Sequence, residues 1–497
     1  MIYVDLFLPQ VIKLEKNIQD NLTSSGLVMK VLFIEPPREF WFVMGEYLPP
    51  PFGIIQLAAY LERDVEDVEI DVLDCTPQQL GWSEIRRKIE SFNPDIVAAS
   101  AFATCNVYLV LRTLEIAKGV SPEILTVTGG QHFTATAQES LEKYPEIDVI
   151  VRVEGEETLK ELVKNSTRKS QFPKIKGLSF RHNGKIIHNK PRPLIKDLND
   201  LPYPGYHFVK DLIHKYHFAA MAGRNAPYAL IEGARGCSHK CTFCTQWRHW
   251  GGIWRLKKPE RIADEIEFCY NNYDSRFIWL TDDDFGPGNR ANSLADELLK
   301  RELGDDLMLF FQWRCDDVIR NEKVLSKLRK AGLYWVMMGV ESPRESTLKG
   351  YRKGIEAEQS TEAVRLLKEN DIFSHAMFVI GDRKDTKESI GQLREFANDL
   401  DPDFAIFTAL TPFPGTEIHK EAKHNGWIED FNLSHYDMAH AIMPTETLSR
   451  MEVQEELYGC YRDFYGSWRR RLGGVLSSNK LKSRLYRHMM GQGVLRQ

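Results

Sequence analysis

The feature that most restricts how this chain can fold is an alternation of short apolar runs with amphipathic stretches, in two separate blocks. In the first block the apolar runs fall at residues 31–35 (VLFIE), 70–74, 95–100, 124–130 and 148–155. The stretches between them have helical spacing. Ile85, Ile89 and Phe92 share one face of a helix that Ser83 is expected to cap and Asn93-Pro94 to end. Strands apolar throughout, joined by helices with one apolar face, imply a parallel sheet covered on both sides. Five of them suit a doubly wound, flavodoxin-like α/β sheet, whose ligands sit beyond the carboxyl ends of its strands. The rhythm then breaks. Residues 178–189 (LSFRHNGKIIHN) read as a hairpin turned by Asn183-Gly184, and the proline-rich DLNDLPYPGY reads as a linker.

From Tyr228 the rhythm resumes with YALIE, FIWLT, MLFFQ, YWVMMG, HAMFVI and FAIFTA. Helices lie between these runs; one opens at Pro259 and carries Ile262, Ile266 and Cys269 on one face. Six β/α units fall short of the eight that close a full barrel, so an open, partial (β/α)6 barrel is expected. The expected divisions are an extension over 1–28, with Met29 an alternative start, and a first domain over 29–165. A hairpin and linker over 166–226, the partial barrel over 227–425 and a mostly helical region over 426–497 complete the chain.

Composition narrows the function. Lys and Arg number 65 against 70 Asp and Glu, a net charge of -5, so no global basic field exists to hold nucleic acid. No apolar run reaches the length of roughly 18 residues that a membrane-spanning helix needs, and no signal peptide is evident. A soluble, cytoplasmic protein is expected. Eight cysteines in 497 residues are too sparse for a disulfide scaffold, so where they cluster, metal or redox chemistry is the better reading.

They cluster in GARGCSHKCTFC, where Cys237, Cys241 and Cys244 follow the first strand of the second block. Three thiolates on a glycine-punctuated loop suit a soft metal: zinc, cuprous copper or an iron–sulfur cluster. Structural zinc wants four ligands; no neighbouring CxxC supplies the second half, and His239 and His249 could each act as a fourth. Three cysteines suit a four-iron cluster with one iron left open. Cys315, in QWRCDD, reads as a packed strand cysteine, with hydrogen donor or late cluster ligand as alternatives.

The CxxxCxxC pattern at the end of a first barrel strand is the signature of the radical S-adenosylmethionine superfamily, and the chain resembles its cobalamin-binding branch from Val31 to about Gly426. That branch includes enzymes similar to anaerobic magnesium-protoporphyrin IX monomethyl ester cyclase and lipid-modifying enzymes. The resemblance implies a 4Fe–4S cluster on the three cysteines, with S-adenosylmethionine bound at the open iron and Phe243 packed by its adenine. It also implies that Asp283, in TDDDF, accepts from the cofactor's ammonium, and that Glu341 and Ser342, in GVES, meet its ribose. Gly381, in FVIGD, would make a backbone contact to adenine, although DRKDT departs there from the family's usual continuation. A run of aspartates is otherwise a solvated loop, and LTPFPGT is similar to the family's last-strand turn, its prolines and glycine mainly structural.

In the first domain the resemblance assigns cobalamin's nucleotide tail to Ser100, Gly129, Gly130, Glu154 and Gly155, beside the familiar PPPFG of residues 49–53. The family's DxHxxG cobalt-ligating motif does not follow the first strand. His132 then reads as a surface group, and cobalamin is expected without a protein histidine on cobalt. The implied activity is generation of a 5′-deoxyadenosyl radical that modifies an unactivated carbon, with C-methylation the main reading. Cyclisation, oxidation or carbon–carbon bond formation on a tetrapyrrole or isoprenoid lipid is the alternative. A non-catalytic cobalamin sensor and an electron-shuttling cluster protein remain as readings of other classes. Expected partners are a small-molecule or lipid substrate and an electron donor such as ferredoxin or flavodoxin. Residues 469–497 hold eight Lys or Arg and no acidic residue. That tail reads as solvated and partly disordered, or as a peripheral contact to anionic lipid.

Overall fold

The computed structural model describes residues 28–38, 47–101, 103–219, 223, 226–286, 288–303 and 305–491. The expected extension over 1–28 lies, but for Val28, outside them. Two parallel sheets form the frame. The first contains β1 (Met29–Glu35), β2 (Val68–Asp74), β3 (Ile96–Ser100), β4 (Leu125–Gly129) and β5 (Val149–Val151), in the order 2-1-3-4-5. This is the flavodoxin-like order. β1 is buried from Val31 to Glu35 because helices cover both faces, which is why its sequence is apolar without alternation.

The hairpin, β6 (Leu178–His182) and β7 (Lys185–His188), does not stand apart. β6 pairs antiparallel with β5, so the sheet runs on past residue 165. Asn183 (φ 49°) and Gly184 (φ 74°) supply the left-handed turn. Ser83 is not the cap of its helix. Trp82–Phe92 starts from Gly81, whose N–H donates to the Glu84 carboxylate at 3.0 Å.

The second sheet runs β8 (Tyr228–Ile231), β9 (Phe277–Leu280), β10 (Met308–Gln312), β11 (Leu333–Glu341), β12 (Phe373–Ile380) and β13 (Phe404–Ala409). All are parallel and in sequence order, an open barrel of six strands. The proline-rich linker is a buried strap. Tyr206 donates to Leu230 O and accepts from Leu230 N (2.8 and 2.7 Å), and Tyr216 donates to Asp74 at 2.9 Å. One apolar cluster therefore runs from β1 through Tyr206, Tyr216 and Phe218 into the barrel.

Trp427–Ser449 is a looping segment, turned by side chains such as Asp437 and Asn432 accepting from nearby backbone N–H groups. Helices follow at Arg450–Gly466, Trp468–Val475 and Lys480–Gly491. The first covers the free edge of β13: Tyr461 and Tyr465 hydroxyls bond the backbone of Phe407 and Ala405. The basic tail is docked in part as far as Gly491, with Arg469, Lys480, Arg484 and Arg487 exposed. Arg470 meets Asp401 at 2.6 Å, Lys482 meets Asp403 at 2.8 Å, and Leu481, Leu485, Tyr486 and Met489 are buried. Arg496 lies outside the described residues. Among the described residues no helix is long and apolar enough to cross a membrane.

Candidate active site between the two sheets

Two cavities meet where the carboxyl ends of the sheets face each other. The larger, about 640 Å3, is bounded on one side by Ser100, Gly129, Gly130, Gly155 and PPPFG, and on the other by Trp250, Thr281 and Asp283. The smaller, about 240 Å3, lies in the barrel mouth against Phe243, Gln312, Met337, Glu341 and Lys353. Asp283, Phe413 and Met438 line both.

The glycines of the larger cavity answer to local crowding. A side chain at Gly129 would meet Val151 O at 2.8 Å. Gly130 has φ 88°, and a Cβ there would come within 3.0 Å of Ser100 Oγ and 3.1 Å of Ala101 O. The outcome is bare backbone on the cavity wall, with the Ser100 hydroxyl donating to Gly129 O at 3.4 Å. His132 corrects the surface reading: it is buried on this wall, burial pushes its pKa down to about 4, and its Nδ1 lies 3.3 Å from Thr104 Oγ1.

Glu154 lines the same cavity, with its carboxylate already engaged. It accepts from Arg235, Arg255 and the Ile195 N–H, each at 2.7 Å. Arg235 also reaches Glu156 at 2.6 Å and Glu232 at 2.9 Å. Burial works against the Arg235 charge, but these carboxylates hold its pKa well above the ordinary value. This buried network ties the first domain to the cysteine loop.

The loop itself is closed at its base, where Ala234–Arg235 pairs antiparallel with Arg255–Leu256. Gly236 (φ 91°) admits no side chain, since a Cβ would fall 2.2 Å from Ile253 O. Asp282 accepts from Gly233 N, Ala234 N and Arg290 at 2.6, 2.8 and 3.0 Å, fastening the root of the loop to β9. Thr242 N–H donates to Tyr351 O, and Trp247 Nε1–H to Cys241 O. On the first-domain side Gln131, next to Gly130, accepts from Thr245 (2.8 Å) and donates to Gln246 (2.5 Å). The loop that carries the thiols is thus bonded directly to the loop that carries the glycines.

Burial, with the nearby aspartates, pushes the Cys237 and Cys244 thiols up to about 12, and burial also raises Cys241. Among the described residues no three His, Cys, Asp or Glu side chains converge as a single-ion site. A cubane puts its irons at separate corners and makes no such demand, and three sulfur donors match its chemistry. Cys315 is a packed cysteine but not a strand one: it opens the helix Cys315–Arg320, fully buried, its sulfur 4.0 Å from Gly339 O.

In the barrel mouth Glu341 ends β11 with φ 66°, an uncommon conformation for a side-chain-bearing residue, at a shift in the register with β12. Its carboxylate accepts from Lys353 at 2.6 Å, both groups buried. Burial opposes the Lys353 charge, yet Glu341 holds its pKa above the ordinary value. A Cβ on Gly339 would fall 2.2 Å from that carboxylate, so the glycine makes room for the pair. Phe243 meets Tyr351 edge-on at 5.0 Å. Burial and the Asp282 charge push Asp283 up to about 7, against a hydrogen bond from Trp250.

Of the residues expected from sequence, the larger cavity gathers Ser100, Gly129, Gly130, Glu154 and Gly155, and the smaller gathers Phe243 and Glu341, with Asp283 in both. Cys237, Cys241, Cys244, Ser342 and Gly381 line neither. Ser342 Oγ accepts from Arg344 N at 3.2 Å, and the Gly381 N–H is taken by Asp385 at 2.9 Å. Lys353, Gln131, Trp250 and Arg235 escaped the sequence reading. Only Arg235, inside the cysteine motif, carried a signal there.

Comparisons with known proteins agree with this layout. A B12 binding domain profile matches residues 44–163, and a radical SAM superfamily profile matches residues 231–397. An uncharacterized methyltransferase of Pyrococcus horikoshii is 31% identical over 88% of this chain and 93% of its own. The chain belongs to the B12-binding radical SAM family. Within that family the anaerobic magnesium-protoporphyrin IX monomethyl ester cyclase of Rubrivivax gelatinosus is 32% identical over 88% of this chain and 77% of its own. The structure of the radical SAM methyltransferase TsrM from Kitasatospora setae, with cobalamin and a 4Fe–4S cluster bound, superposes with a TM-score of 0.69. It covers 94% of this chain and 99% of its own at 17% identity, and so speaks for the fold. This radical SAM enzyme therefore carries the expected doubly wound domain and partial barrel.

Proposed function

We propose that this enzyme methylates an unactivated carbon of a small, largely apolar substrate, using cobalamin and S-adenosylmethionine in adjoining cavities. The observation that carries the reading is the shared wall of Asp283, Phe413 and Met438: a group in either cavity borders the other directly. Cys237, Cys241 and Cys244 would hold the cluster. Ser100, Gly129, Gly130 and Gly155 would face the tail of cobalamin, while Phe243, Asp283 and Glu341 would hold S-adenosylmethionine. When bound, these groups supply a 5′-deoxyadenosyl radical and a transferable methyl group.

The chain's own residues bind, orient and exclude water. Lys353 holds the Glu341 carboxylate in place, so its oxygens accept from ribose hydroxyls without reorganising. Asp283 must lose its proton to accept from the cofactor's ammonium, and the incoming positive charge lowers its pKa. Met337, Met377, Val379 and Leu410 give the smaller cavity an apolar lining that keeps water from a radical. Ser342 and Gly381 support this mouth through the Arg344 turn and Asp385. Cobalamin would be held without a protein histidine on cobalt. The Nδ1 of His132 already faces Thr104, and nitrogen splitting in the spectrum of the cobalt(II) state would overturn this. A cytoplasmic reductant such as ferredoxin or flavodoxin delivers the electron.

The test is anaerobic incubation of reduced, reconstituted enzyme with methyl-deuterated S-adenosylmethionine and an extract of host lipids and tetrapyrroles. Label in a product supports methylation. A product that has lost two hydrogens and gained no label supports cyclisation or oxidation, the reading favoured by the cyclase relative. Failure to form 5′-deoxyadenosine would leave the cobalamin sensor.

A further inference from the structure

We infer that the carboxyl-terminal helical hairpin docks this enzyme on an anionic phospholipid surface. Trp468, Leu472 and Leu476 follow one another at intervals of four along the helix Trp468–Val475 and its cap, so they stack on one face. All three are exposed, by 66%, 51% and 76%. Single exposed apolar residues are ordinary, but a row of three on one short helix is not. The opposite side of the helix is what anchors it: Gly474 lies against the Tyr486 ring, Arg470 binds Asp401, and Arg471 donates to Tyr465 O. The helix therefore turns its apolar row outward, the reverse of the usual arrangement on a globular surface.

Charge identifies the occupant. The next helix, Lys480–Gly491, buries Leu481, Leu485 and Met489 and leaves Lys480, Arg484 and Arg487 exposed at intervals of four and three, again one face. No Asp or Glu occurs after Asp463, in a chain whose net charge is -5. A tryptophan and leucine row beside a basic stripe suits a bilayer interface: the apolar side chains enter the acyl boundary, and the cations meet anionic headgroups. A second copy of the chain would set like charges against each other across a two-fold axis, which disfavours a dimer.

The test uses the full-length reconstituted enzyme, sedimented with vesicles of phosphatidylcholine alone or of phosphatidylcholine and phosphatidylglycerol in equal parts. Binding is expected on the anionic vesicles, at least about tenfold weaker on the neutral ones, and reduced by salt. The variant Trp468→Ser/Leu472→Ser/Leu476→Ser should lose at least about tenfold in partition. Lys480→Ala and Arg487→Ala should each lose roughly fivefold on anionic vesicles. Both sets lie outside the two cavities, so 5′-deoxyadenosine formation stays at the parent level. No binding by the parent, equal binding by all variants, or self-association that the serine variant abolishes without a change in vesicle binding would each overturn the inference.

Discussion

Removing the ammonium that faces Glu341 tests the barrel cavity most directly. Lys353→Met keeps the length and apolar stem of the side chain and deletes its charge, leaving the Glu341 carboxylate buried and unpaired. Breaking a buried pair this way costs about 3–5 kcal/mol, between two and four decades in the unfolding equilibrium. Lys353→Met/Glu341→Gln removes both charges and should regain most of the stability while still binding S-adenosylmethionine poorly. Urea unfolding of the metal-free chain near neutral pH reads the first effect, and equilibrium dialysis of the reconstituted enzyme with labelled S-adenosylmethionine reads the second. A Lys353→Met protein as stable as the parent would refute the buried-pair argument. Parent-level binding by the double variant would refute the ribose assignment.

Four other outcomes are expected. Substituting Ala for Cys237, Cys241 or Cys244 should abolish retention of iron and sulfide and formation of 5′-deoxyadenosine, with the melting temperature of the metal-free chain little changed. Gly130→Val, at φ 88° with Ser100 Oγ and Ala101 O close by, should cost at least about 1–2 kcal/mol and stop the protein retaining aquacobalamin on a desalting column. Arg235→Met would strand Glu156 and Glu232 in the seam between the sheets and leave Glu154 to Arg255 and the Ile195 N–H, so limited proteolysis should cut the chain between domains far faster than in the parent. His375 is buried beside Trp335 with its pKa pushed down to about 3. The unfolded chain takes up that proton first, so stability falls as pH drops from about 6.5 toward 3, by up to about 1.4 kcal/mol per unit. His375→Gln should remove one proton's worth of that slope in urea titrations, and an unchanged slope would refute it.

Much of the site was legible in sequence because its chemistry is local. The thiols sit within eight positions, and Gly129-Gly130 and GVES sit at the ends of runs whose apolarity marks them as strands. What escaped was set by distance along the chain. Lys353 is the partner of Glu341 from twelve residues away, after an intervening helix. Gln131 meets Thr245 and Gln246 more than a hundred residues on, and no periodicity announces such a contact. His132 and the basic tail read as solvated because polar residues usually are. A cavity wall buries the first, and Asp401 and Asp403 dock much of the second.

By itself the sequence determined the order of strands and helices, the two α/β blocks and the loop of three sulfur ligands. Each follows from neighbours within a few residues: side-chain period, backbone freedom at glycine, and spacing of thiols. Only the tertiary structure decided that the carboxyl ends of the two sheets face one another, that Arg235 and Glu154 join them, and that the two cavities share Asp283, Phe413 and Met438 in their walls. Those features arise when buried surfaces from distant parts of the chain close together, and their partners are selected by desolvation and shape rather than by local pattern.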